Sequence, residues 1–572
     1  MKTKKVQFWT GDIETGRGFS GKFLIGGLSD GKRYHSFAKE DDFMRFVLGL
    51  EGVVFFHYLD FDVRTILAWC MKHDIEPDAM PVMSPDKRIV EWKICGVTFR
   101  DSFTLTQSSL ADLAESFNLK TRKLPMKSHY FTRITPQIRR YLRNDVVSLH
   151  EALTAYYRFV GWQNFKKHTT AAIAMAKFRE VDRPAYERIT EFPIYDKEEK
   201  FIRRALFSGY FATFASEISG EDEIYKLDMN SYYAAAMRDN PFPWGGIMET
   251  TDPDEIDRKV SAGEELGIVR ARARVPAGLA IGFLPRKRSD GTDYPTSGKI
   301  RGAWTTPEIS MAKKLGYVFE YEEAIFWQFK DRLFQRYVAL FGRAKERAHG
   351  AKRVIAKQLL VSLYGKFAER RRVTVLRKTD RPIRGKRYLD DDFTIYEDTQ
   401  YIRKQYSHPE ISVFTTAYAR ITFYKFCEEV GWNNIYAIIS DSLIFRGHLS
   451  RAFRRRWIHS SRIGKFKVVS RVDRAIILAR GVYALKDVNG EETIRNQGGM
   501  SSYNKLLTFA DFEAINQKNK KVWVQYRGAK KPNTVYTFLK GQGKLKGETR
   551  ITRKITIKGR LPALSTVSRK QV

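Results

Sequence analysis

The first 170 residues alternate between short apolar runs and longer segments with helical spacing. Runs rich in β-branched and aromatic residues indicate strands, whereas apolar residues three and four apart indicate helices. Strands that alternate with helices predict an α/β fold here, and the helical pattern at 170–200 predicts a connector. The predicted strands are 5–13, 52–56 and 89–100, and the predicted helices are 61–71, 110–117 and 136–153.

The centre of the chain has a mixed pattern, which predicts an α+β arrangement. A strand is predicted at 223–228 and a helix at 231–237, and the prolines that follow Asn240 forbid continuation of that helix. Residues 250–310 are rich in turn signals. The chain is therefore expected to fold as a multidomain α/β and α+β protein.

Helical and hairpin patterns dominate the second half. Residues 328–366 are basic and helical, and Gly350 predicts a break between two helices. A hairpin-like pattern follows at 370–408, and a second hairpin is predicted at 434–445 with its turn at 440–442. The last 70 residues are β-rich and basic.

The net positive charge of the chain gives the first indication of its function. The 572 residues include 101 lysines and arginines against 65 aspartates and glutamates, a formal net charge of +36. A charge of this size repels itself in the compact state and indicates an anionic partner, most simply nucleic acid. Ribosomal and packaging proteins share such a charge, but they are usually short or of low complexity, unlike this chain.

The cysteines and the apolar runs bear on the compartment. Cys70, Cys95 and Cys427 form no C-x-x-C pair, so neither a zinc site nor a disulfide framework is predicted. The basic amino terminus precedes an apolar run too short for a signal peptide, and no uncharged apolar stretch of about 18 residues predicts a membrane span. We therefore expect a cytoplasmic protein that has no membrane partner.

Four carboxylates and a tyrosine form the first candidate site. Asp12 and Glu14 lie on one side of the first strand, and Asp62 follows the second strand. Tyr141 and Asp145 are four apart and share a helix face. Hard oxygen ligands from separate elements can converge on two divalent cations, as two-metal phosphodiester hydrolysis requires. Each short motif alone is explained equally well by a solvated surface, so their joint order and placement carry the prediction.

This set resembles the Exo I, Exo II and Exo III motifs of the DnaQ-like, RNase H-like 3′–5′ exonuclease domain of family B DNA polymerases. The resemblance implies that the four carboxylates bind metal and that Tyr141 positions the attacking water. Tyr58 departs from the asparagine that is usual in protein-primed members, and its ring could stack on a base. The residues implied to hold the 3′ end of single-stranded DNA are Thr15, His57, Phe61, Ser102 and Phe103.

The segment around Asp228 forms the second candidate site. A carboxylate at a strand end, followed by a helix start, suits a triphosphate on Mg²⁺. The segment resembles motif A of family B, D-x-x-S-L-Y-P, which implies that Asp228 binds both metals and that Ser231 contacts DNA. It also implies that Tyr233 excludes a ribose 2′-hydroxyl. Tyr232 and Ala234 replace the usual leucine and proline.

The segment 357–367 resembles motif B, K-x3-N-S-x-Y-G. Lys357 and Tyr364 are seven apart and share a helix face, so they could grip phosphates at one end and a base pair at the other. The alternative is a basic amphipathic helix. Val361 replaces the usual asparagine. The resemblance implies nucleotide contacts by Lys345, Arg353, Lys357 and Tyr364, and DNA contacts by Gly365 and Lys366.

The hairpin at 434–445 resembles motif C, Y-x-D-T-D-S. Asp441 matches the second aspartate and would bind metal together with Asp228. Ile439 stands where the first aspartate is usual, and Ser440 replaces threonine. The resemblance therefore implies a minimal pair of carboxylates, which is chemically sufficient for two metals.

Two further segments resemble elements that hold the primer or join the domains. Tyr483 matches the tyrosine of a primer-binding K-x-Y motif, but Gly481 occupies the lysine position and Arg480 lies one residue early. Residues 207–210 resemble the Y-x-G-G/A loop between exonuclease and polymerase, with phenylalanine for tyrosine. We expect Arg480 and Tyr483 to contact DNA.

The resemblance covers about residues 6–500, and two insertions indicate the protein-primed branch found in phages and plasmids. It implies a right-hand polymerase with palm, fingers and thumb, in which TPR1 contacts a terminal protein and TPR2 supports processivity and strand displacement. The implied units are the exonuclease domain 1–170, palm 171–241, a TPR1-like insertion 242–327, fingers 328–369, a TPR2-like insertion 370–408, palm 409–501, and thumb with basic tail 502–572.

The implied partners and cofactors follow from this resemblance. We expect two Mg²⁺ ions per active site, which Mn²⁺ can replace. The partners would be primer-template DNA, single-stranded DNA, dNTPs and a terminal protein. The protein itself would act as a monomer in the host cytoplasm. Two alternatives remain open: a nuclease with a degenerate polymerase domain, favoured by Ile439, and a non-enzymatic nucleic-acid binder, favoured by net charge alone.

Overall fold

The computed structural model describes residues 6–16, 23–84, 88–124, 133–215, 217–288, 291–379, 383, 387–388, 395–479, 481–496, 507–518, 522–528 and 549–555. Within these ranges, no helix is both long enough and apolar enough to cross a membrane. Arg480, whose DNA contact was predicted, lies outside the described residues.

The amino-terminal unit is a seven-stranded sheet covered by helices, in the strand order β3-β2-β1-β4-β7-β6-β5. The pair β1–β4 and the pair β4–β7 are parallel, which agrees with the predicted α/β pattern. The strands are β1 (Trp9–Thr15), β2 (Phe23–Ser29), β3 (Tyr34–Phe37), β4 (Val53–Phe56), β5 (Val82–Met83), β6 (Ile89–Ile94) and β7 (Val97–Asp101). The helices are α1 (Glu40–Leu48), α2 (Leu59–Lys72), α3 (Phe103–Thr106), α4 (Leu110–Ser116) and α5 (Pro136–Val160).

One predicted strand of this unit is a hairpin. Residues 89–100 contain β6 and β7, which are joined at Cys95 and Gly96 with φ of 50° and 80°. A left-handed turn of two residues reverses the chain without breaking the apolar alternation, so the sequence pattern alone resembles a single strand. The predicted helix at 136–153 continues to Val160, because apolar residues keep its buried face complete.

Helices α6 (Thr170–Val181), α7 (Arg183–Thr190) and α8 (Asp196–Ile202) form the predicted connector. They lead into a second seven-stranded sheet, in the order β23-β22-β21-β9-β20-β19-β8. Its strands are β8 (Phe211–Thr213), β9 (Glu217–Met229), β19 (Ile435–Ile439), β20 (Ser442–Arg446), β21 (Phe466–Ala479), β22 (Val482–Asp487) and β23 (Glu492–Asn496).

This second sheet, called the central sheet below, is built from segments more than 200 residues apart in the chain, since β20 pairs with β9. Leu227 and Met229 of β9 pack on one face with the helices α9 (Tyr232–Asp239) and α14 (Pro409–Val430). Ile224 joins a smaller apolar cluster on the opposite face. Because side chains alternate along a strand, Asp228 lies on the same face as Ile224.

The segment from residue 242 to residue 331, which follows α9, forms a separate four-stranded sheet in the order β10-β15-β11-β14. Its elements are β10 (Phe242–Thr250), α10 (Pro253–Ala262), β11 (Gly267–Val275), β14 (Gly298–Thr305), α11 (Thr306–Lys314) and β15 (Val318–Asp331), with the small pair β12 (Arg286–Arg288) and β13 (Gly291–Asp293) beside them.

The basic stretch at 328–366 is helical only from Gln335 onwards. Its first four residues complete β15, in which Asp331 pairs with Phe242 at the base of the inserted sheet. The two predicted helices, α12 (Gln335–Arg347) and α13 (Gly350–Phe367), are separated near Gly350 as expected. Gly350 has a φ of 51°, and a β-carbon there would lie 2.1 Å from Ser116 Oγ of α4. A side chain at this position would therefore disturb the packing of α13 on the amino-terminal unit.

The remaining elements agree with the hairpin predictions. Residues 370–408 contain a three-stranded sheet, and α16 is an additional helix within the segment predicted as β-rich. The elements are β16 (Arg370–Lys378), β17 (Arg387–Tyr388), β18 (Ile395–Arg403), α15 (Arg451–Trp457), α16 (Phe509–Lys518), β24 (Val522–Gly528) and β25 (Thr549–Ile555).

Candidate active sites

The amino-terminal sheet brings the four predicted carboxylates of the first site together. Strand β1 carries Asp12 and Glu14, and the backbone N–H of Ile13 between them donates to Asp62 Oδ1 of α2 at 2.9 Å. Helix α5, which carries Asp145, packs on β1 through a 2.9 Å hydrogen bond from Thr10 Oγ1 to a backbone carbonyl of the helix. Three elements distant in sequence thus supply one acidic site.

Burial and mutual repulsion raise the pKa of these carboxyls. The pKa of Asp12 is raised to about 7, mainly by burial and then by the charge of Asp145. Burial and Asp12 raise the pKa of Glu14 to about 9, and burial and Asp12 raise the pKa of Asp62 well above its usual value. Like charges held in a low-dielectric site disfavour joint ionisation, which a bound cation would relieve.

Lys123 lies in this acidic site and was not predicted from the sequence. Its ammonium is 2.8 Å from Asp145 Oδ2 and 5.4 Å from the centre of the Tyr141 ring. Lys123 lies on a loop that also carries Lys120 and Arg122, and it belongs to no motif by which it could have been found. The lysine neutralises part of the site and ties the loop to the helix that carries Tyr141 and Asp145.

The donor set fits divalent cations. Asp145 Oδ1 is buried and, among the described residues, has no hydrogen-bond partner. The other ligand candidates are also carboxylate oxygens, which Mg²⁺ and Mn²⁺ prefer. Within the described ranges, no three His, Cys, Asp or Glu side chains are yet grouped closely enough to hold a metal ion together.

In the absence of metal, this repulsion should make stability depend on pH. A carboxyl whose pKa is raised by folding stabilises the fold fully below its normal pKa of about 4, and that contribution is lost as pH rises through about 7 to 9. We expect Asp12→Asn to raise the melting temperature in EDTA by roughly 5 °C more at pH 9 than at pH 5.

The measurement is differential scanning calorimetry of wild type, Asp12→Asn and the exposed-site control Glu51→Gln. Mg²⁺ should raise the melting temperature of wild type more at pH 9 than at pH 5, because it replaces the missing counter-charge. Equal pH profiles for wild type and Asp12→Asn in EDTA would contradict the proposed repulsion.

An aromatic surface adjoins the first site. His57 Nδ1 lies 2.9 Å from Ser102 Oγ, and burial, followed by the charge of Lys123, lowers the pKa of His57 to about 4. Tyr58 stacks on Phe103 with ring centres 4.2 Å apart, and Tyr58 is 46% exposed. Four of the residues predicted or noted for single-stranded DNA therefore lie together. Phe61 is exposed on the next turn of α2, and Thr15 lies at the end of β1.

Asp228 and Asp441 form the acidic wall of the second site, on the central sheet. The backbone N–H of Met229, next to Asp228, donates to the carbonyl of Asp441 at 2.8 Å. Ser442 Oγ donates to Asp228 Oδ1 at 2.9 Å. Burial, followed by the charge of Asp228, raises the pKa of Asp441 to about 6. The two aspartates are thus held side by side, as the motif resemblance predicted.

Two turns at this wall have unusual backbone conformations. Ser231, after β9, and Ser440, between β19 and β20, have φ of 50° and 61°. The N–H of Ser440 donates to the carbonyl of Tyr210 at 2.7 Å, and a β-carbon on Gly209 would lie 2.9 Å from Ser440 Oγ. The loop at 207–210 therefore supports the turn that carries Asp441. Ile439 packs on the apolar cluster of the sheet face.

Basic and aromatic side chains of α12 and α13 face the two aspartates across a cavity of about 360 Å³. Lys345 Nζ donates to Ser231 Oγ at 2.9 Å, and burial, followed by Arg353 and Lys357, lowers the pKa of Lys345 to about 8. The rings of Tyr233 and Tyr364 lie 4.5 Å apart. The lining residues are Asp228, Met229, Asn230, Ser231, Tyr232, Tyr233, Lys345, Arg353, Lys357, Val361, Tyr364, Asp441 and Lys467.

The structure also shows the surroundings of three further residues that were predicted to contact DNA, namely Lys366, Gly365 and Tyr483. Lys366 is buried outside the cavity, where its ammonium lies 2.6 Å from Glu369 Oε2. A β-carbon on Gly365 would meet no atom within 4 Å, so the glycine borders open space. Tyr483 accepts a 3.0 Å hydrogen bond from Lys226, a buried lysine on β9 that was not predicted.

Lys467 of β21 is the other functional candidate that the sequence did not reveal. It lines the cavity, and its ammonium lies 2.9 Å from Asp228 Oδ2. Strand pairing places Lys467 directly opposite Asp228. Its position becomes apparent only when the register of the central sheet is known.

Comparison with known proteins was consistent across sequence and structure. Residues 127–431 match the model of a family described as DNA polymerase type B, organellar and viral. The DNA polymerase of Streptococcus phage Cp-1 is 26% identical over 454 residues, covering 73% of this chain and 76% of the relative. That of Bacillus phage phi29 is 24% identical over 509 residues, covering 81% and 84%.

The fold is similar to that of phi29 DNA polymerase, solved with primer-template DNA and incoming nucleotide substrates. The TM-score is 0.75 at 19% identity, with 97% of this chain and 100% of the other covered. A second structure, phi29 DNA polymerase with single-stranded DNA, has a TM-score of 0.70 at 20% identity, with 96% and 100% covered.

Proposed function

Because the chain belongs to the organellar and viral family of type B DNA polymerases, we propose that it copies DNA at the central-sheet site and removes 3′-terminal nucleotides at the amino-terminal site. The predicted resemblance to family B DNA polymerases is confirmed by this membership. The finer assignments of domains, residues, metals and primer are proposals that rest on the geometry of the two sites.

The observation that carries the polymerase assignment is the cavity between the two aspartates and the basic helix pair. A dNTP is an anion at one end and a flat base at the other, and the cavity offers lysines and arginine near two tyrosine rings. Lys345, Arg353 and Lys357 would bind triphosphate oxygens, and Tyr364 would pack on the new base pair. Tyr233, whose ring centre lies 4.5 Å from that of Tyr364, would leave no room for a 2′-hydroxyl.

Asp228 and Asp441 would hold two Mg²⁺ ions, and Mn²⁺ could replace them. The metals would lower the pKa of the primer 3′-hydroxyl and neutralise charge that develops on the phosphates. The protein's own contribution is to position the carboxylates, which Ser442 and the backbone of Met229 keep in place. Tyr483, with Lys226 on its hydroxyl, lies on β22, two strands from β9, where primer DNA would pass.

The exonuclease proposal rests on the carboxylate cluster and the aromatic surface beside it. Asp12, Glu14, Asp62 and Asp145 would hold the metals, while Tyr141 and Lys123 would orient the attacking water. The stacked pair Tyr58–Phe103 would receive the terminal base of a single strand, because every base presents a face for stacking. His57, Ser102, Phe61 and Thr15 would contact the same 3′-terminal nucleotides.

The two inserted sheets support a protein-primed mode of replication. The sheet β10-β15-β11-β14 follows α9 in the chain and the sheet β16-β18-β17 follows α13, within the stretches predicted as TPR1-like and TPR2-like insertions. We propose that the first binds a terminal protein and that the second helps to separate the strands. The similarity to phage DNA polymerases, which extends over most of the chain, is consistent with this proposal.

The test is primer extension by the wild-type chain on a gapped template whose downstream strand must be displaced. With dNTPs and Mg²⁺, we expect full-length product and release of the downstream strand; without dNTPs, we expect stepwise shortening of the primer. Shortening without any extension, in either Mg²⁺ or Mn²⁺, would instead support the nuclease with a degenerate polymerase site. If the chain showed neither extension nor shortening, that result would contradict the whole proposal and favour a simple nucleic-acid binder.

A further inference from the structure

Lys467 occupies a position from which it can compete with metal ions for Asp228. The two residues are paired across β21 and β9, and the Lys467 ammonium lies 2.9 Å from Asp228 Oδ2. The other oxygen, Oδ1, accepts a hydrogen bond from Ser442 Oγ at 2.9 Å. Both oxygens of this proposed metal ligand thus have protein partners.

The charge balance of the cavity is positive before any ligand binds. Among the described residues that line it, four side chains are cationic and two are carboxylates. Ile439 stands where the family motif has a further aspartate, so this third acidic group is missing. A divalent cation that approached the empty cavity would meet a net positive field and would have to displace an ammonium from Asp228.

The side chain of Lys467 has the freedom to change partners. It is 40% exposed, whereas the ammonium of Lys345 is buried and bound to Ser231 Oγ. A lysine is a compact charge on a flexible stem, and the same cavity would hold the triphosphate. A nucleotide would therefore offer Lys467 alternative oxygen acceptors within the cavity.

We propose that Lys467 is a positioning residue that couples metal binding to nucleotide binding. Without nucleotide, its ammonium holds Asp228 and weakens the affinity of the site for divalent cations. When a dNTP enters, the ammonium moves to phosphate oxygens and frees Asp228 Oδ2 for the metal. The inference rests on the proposed polymerase function and assigns a role to a residue outside the polymerase motifs.

The experiment measures Mn²⁺ binding by electron paramagnetic resonance, with no turnover. The parent protein carries Asp12→Ala and Asp62→Ala to remove the first acidic site, and it is bound to a primer-template with a dideoxy 3′ end. Mn²⁺ is titrated with and without the complementary dNTP. The variants are Lys467→Met, Lys467→Arg and the matched control Lys465→Met, whose lysine binds a backbone carbonyl of Arg456 instead.

We expect Lys467→Met to bind Mn²⁺ about tenfold more tightly than the parent when nucleotide is absent. The gain in Mn²⁺ affinity on adding dNTP should be about tenfold smaller in Lys467→Met than in the parent. Mn²⁺ that the nucleotide itself carries contributes equally to all variants and cancels in this comparison. Lys467→Arg and Lys465→Met should resemble the parent, because each keeps a cation beside Asp228.

Unchanged or weaker Mn²⁺ binding by Lys467→Met without nucleotide would overturn the inference and leave the ion pair a structural contact. Equal nucleotide effects in Lys467→Met and the parent would overturn it as well. Failure of the proposed polymerase site looks different: the parent would then bind no more Mn²⁺ than the same protein with Asp228→Ala. A circular dichroism melt of each variant identifies any variant that has lost the fold. If Lys467→Met is one of them, Lys467→Gln takes its place, because it also removes the charge beside Asp228.

Discussion

Alanine at Asp228 or at Asp441 is expected to reduce primer extension by at least about 10³-fold. Each variant removes one of the two carboxylates on the acidic wall of the cavity, and no third carboxylate lines that cavity among the described residues. Degradation of single-stranded DNA should stay within about twofold of wild type, because distant sites act nearly independently. The loss should therefore be confined to one activity.

The reason for so large a loss is the absence of a substitute ligand. Ile439, at the position of the usual first aspartate of motif C, packs on apolar side chains and cannot bind metal. Removal of Asp228 would also release Lys467, which would add uncompensated positive charge at the metal position. Asp441 has a pKa raised to about 6 by burial and by Asp228, so at neutral pH the Asp441 carboxylate would be available to cations.

The assay is single-nucleotide incorporation on a labelled primer-template in Mg²⁺, with exonuclease activity followed on a labelled single strand. The exposed Asp254 of α10 provides a matched control, and Asp254→Ala should extend the primer as wild type does. Extension at near wild-type rates by both Asp228→Ala and Asp441→Ala would show that the central-sheet cavity is not the polymerase site.

The second large effect is expected at the amino-terminal site. The double variant Asp12→Ala, Asp62→Ala should lower 3′–5′ degradation of single-stranded DNA by at least about 10³-fold, with extension unchanged within about twofold. Asp62 is bound to the backbone N–H of Ile13, next to Asp12, so both ligands act on one metal-binding surface. The carboxylates of Glu14 and Asp145 would remain but could not hold two cations alone.

The same labelled single strand measures this loss, and misincorporated nucleotides should persist in extension products of the double variant. Asp42→Ala, an exposed aspartate of α1 on the same unit, is the matched control. The double variant is also expected to melt at a higher temperature than wild type in EDTA at pH 9, since it lacks the repulsion described above. Rapid degradation by the double variant would place the nuclease elsewhere or exclude it.

Local sequence was informative wherever chemistry depends on neighbours along the chain. The spacing of Asp12 and Glu14 on a strand, and of Tyr141 and Asp145 on a helix, correctly placed each pair on one face. The break at Gly350 was also predicted, because a glycine between two helical patterns is a local signal. Such features depend on backbone periodicity, which the residues themselves specify.

Boundaries were less well predicted where two elements share one pattern. The alternation at 89–100 concealed a hairpin, and residues 328–331 continued a strand whose partner lies almost 90 positions away at Phe242. Strand pairing stabilises such segments through hydrogen bonds to a distant neighbour. No local propensity reports that neighbour, so the helical pattern was extended too far.

The residues that sequence analysis missed are all lysines whose partners lie far away in the chain. Lys123 meets Asp145, Lys226 meets Tyr483, and Lys467 meets Asp228 across two paired strands. With 101 basic residues in the chain, no single lysine is distinctive until its neighbours are known. Lys366, in contrast, was predicted to contact DNA from its place in a motif. Its ammonium lies beside Glu369, a partner that the motif did not reveal.

The sequence by itself determined the family resemblance, the two sets of acidic residues and most elements that carry them, because motifs and periodicity are local properties. Only the tertiary structure decided which charges oppose one another, since strand register and helix packing bring together residues as distant as Lys226 and Tyr483, which are 257 positions apart. That long-range pairing set the raised pKa of the amino-terminal carboxyls and placed Lys467 on Asp228. Electrostatic energy depends on the distance between charges and on their burial, and neither quantity can be read from the amino-acid sequence.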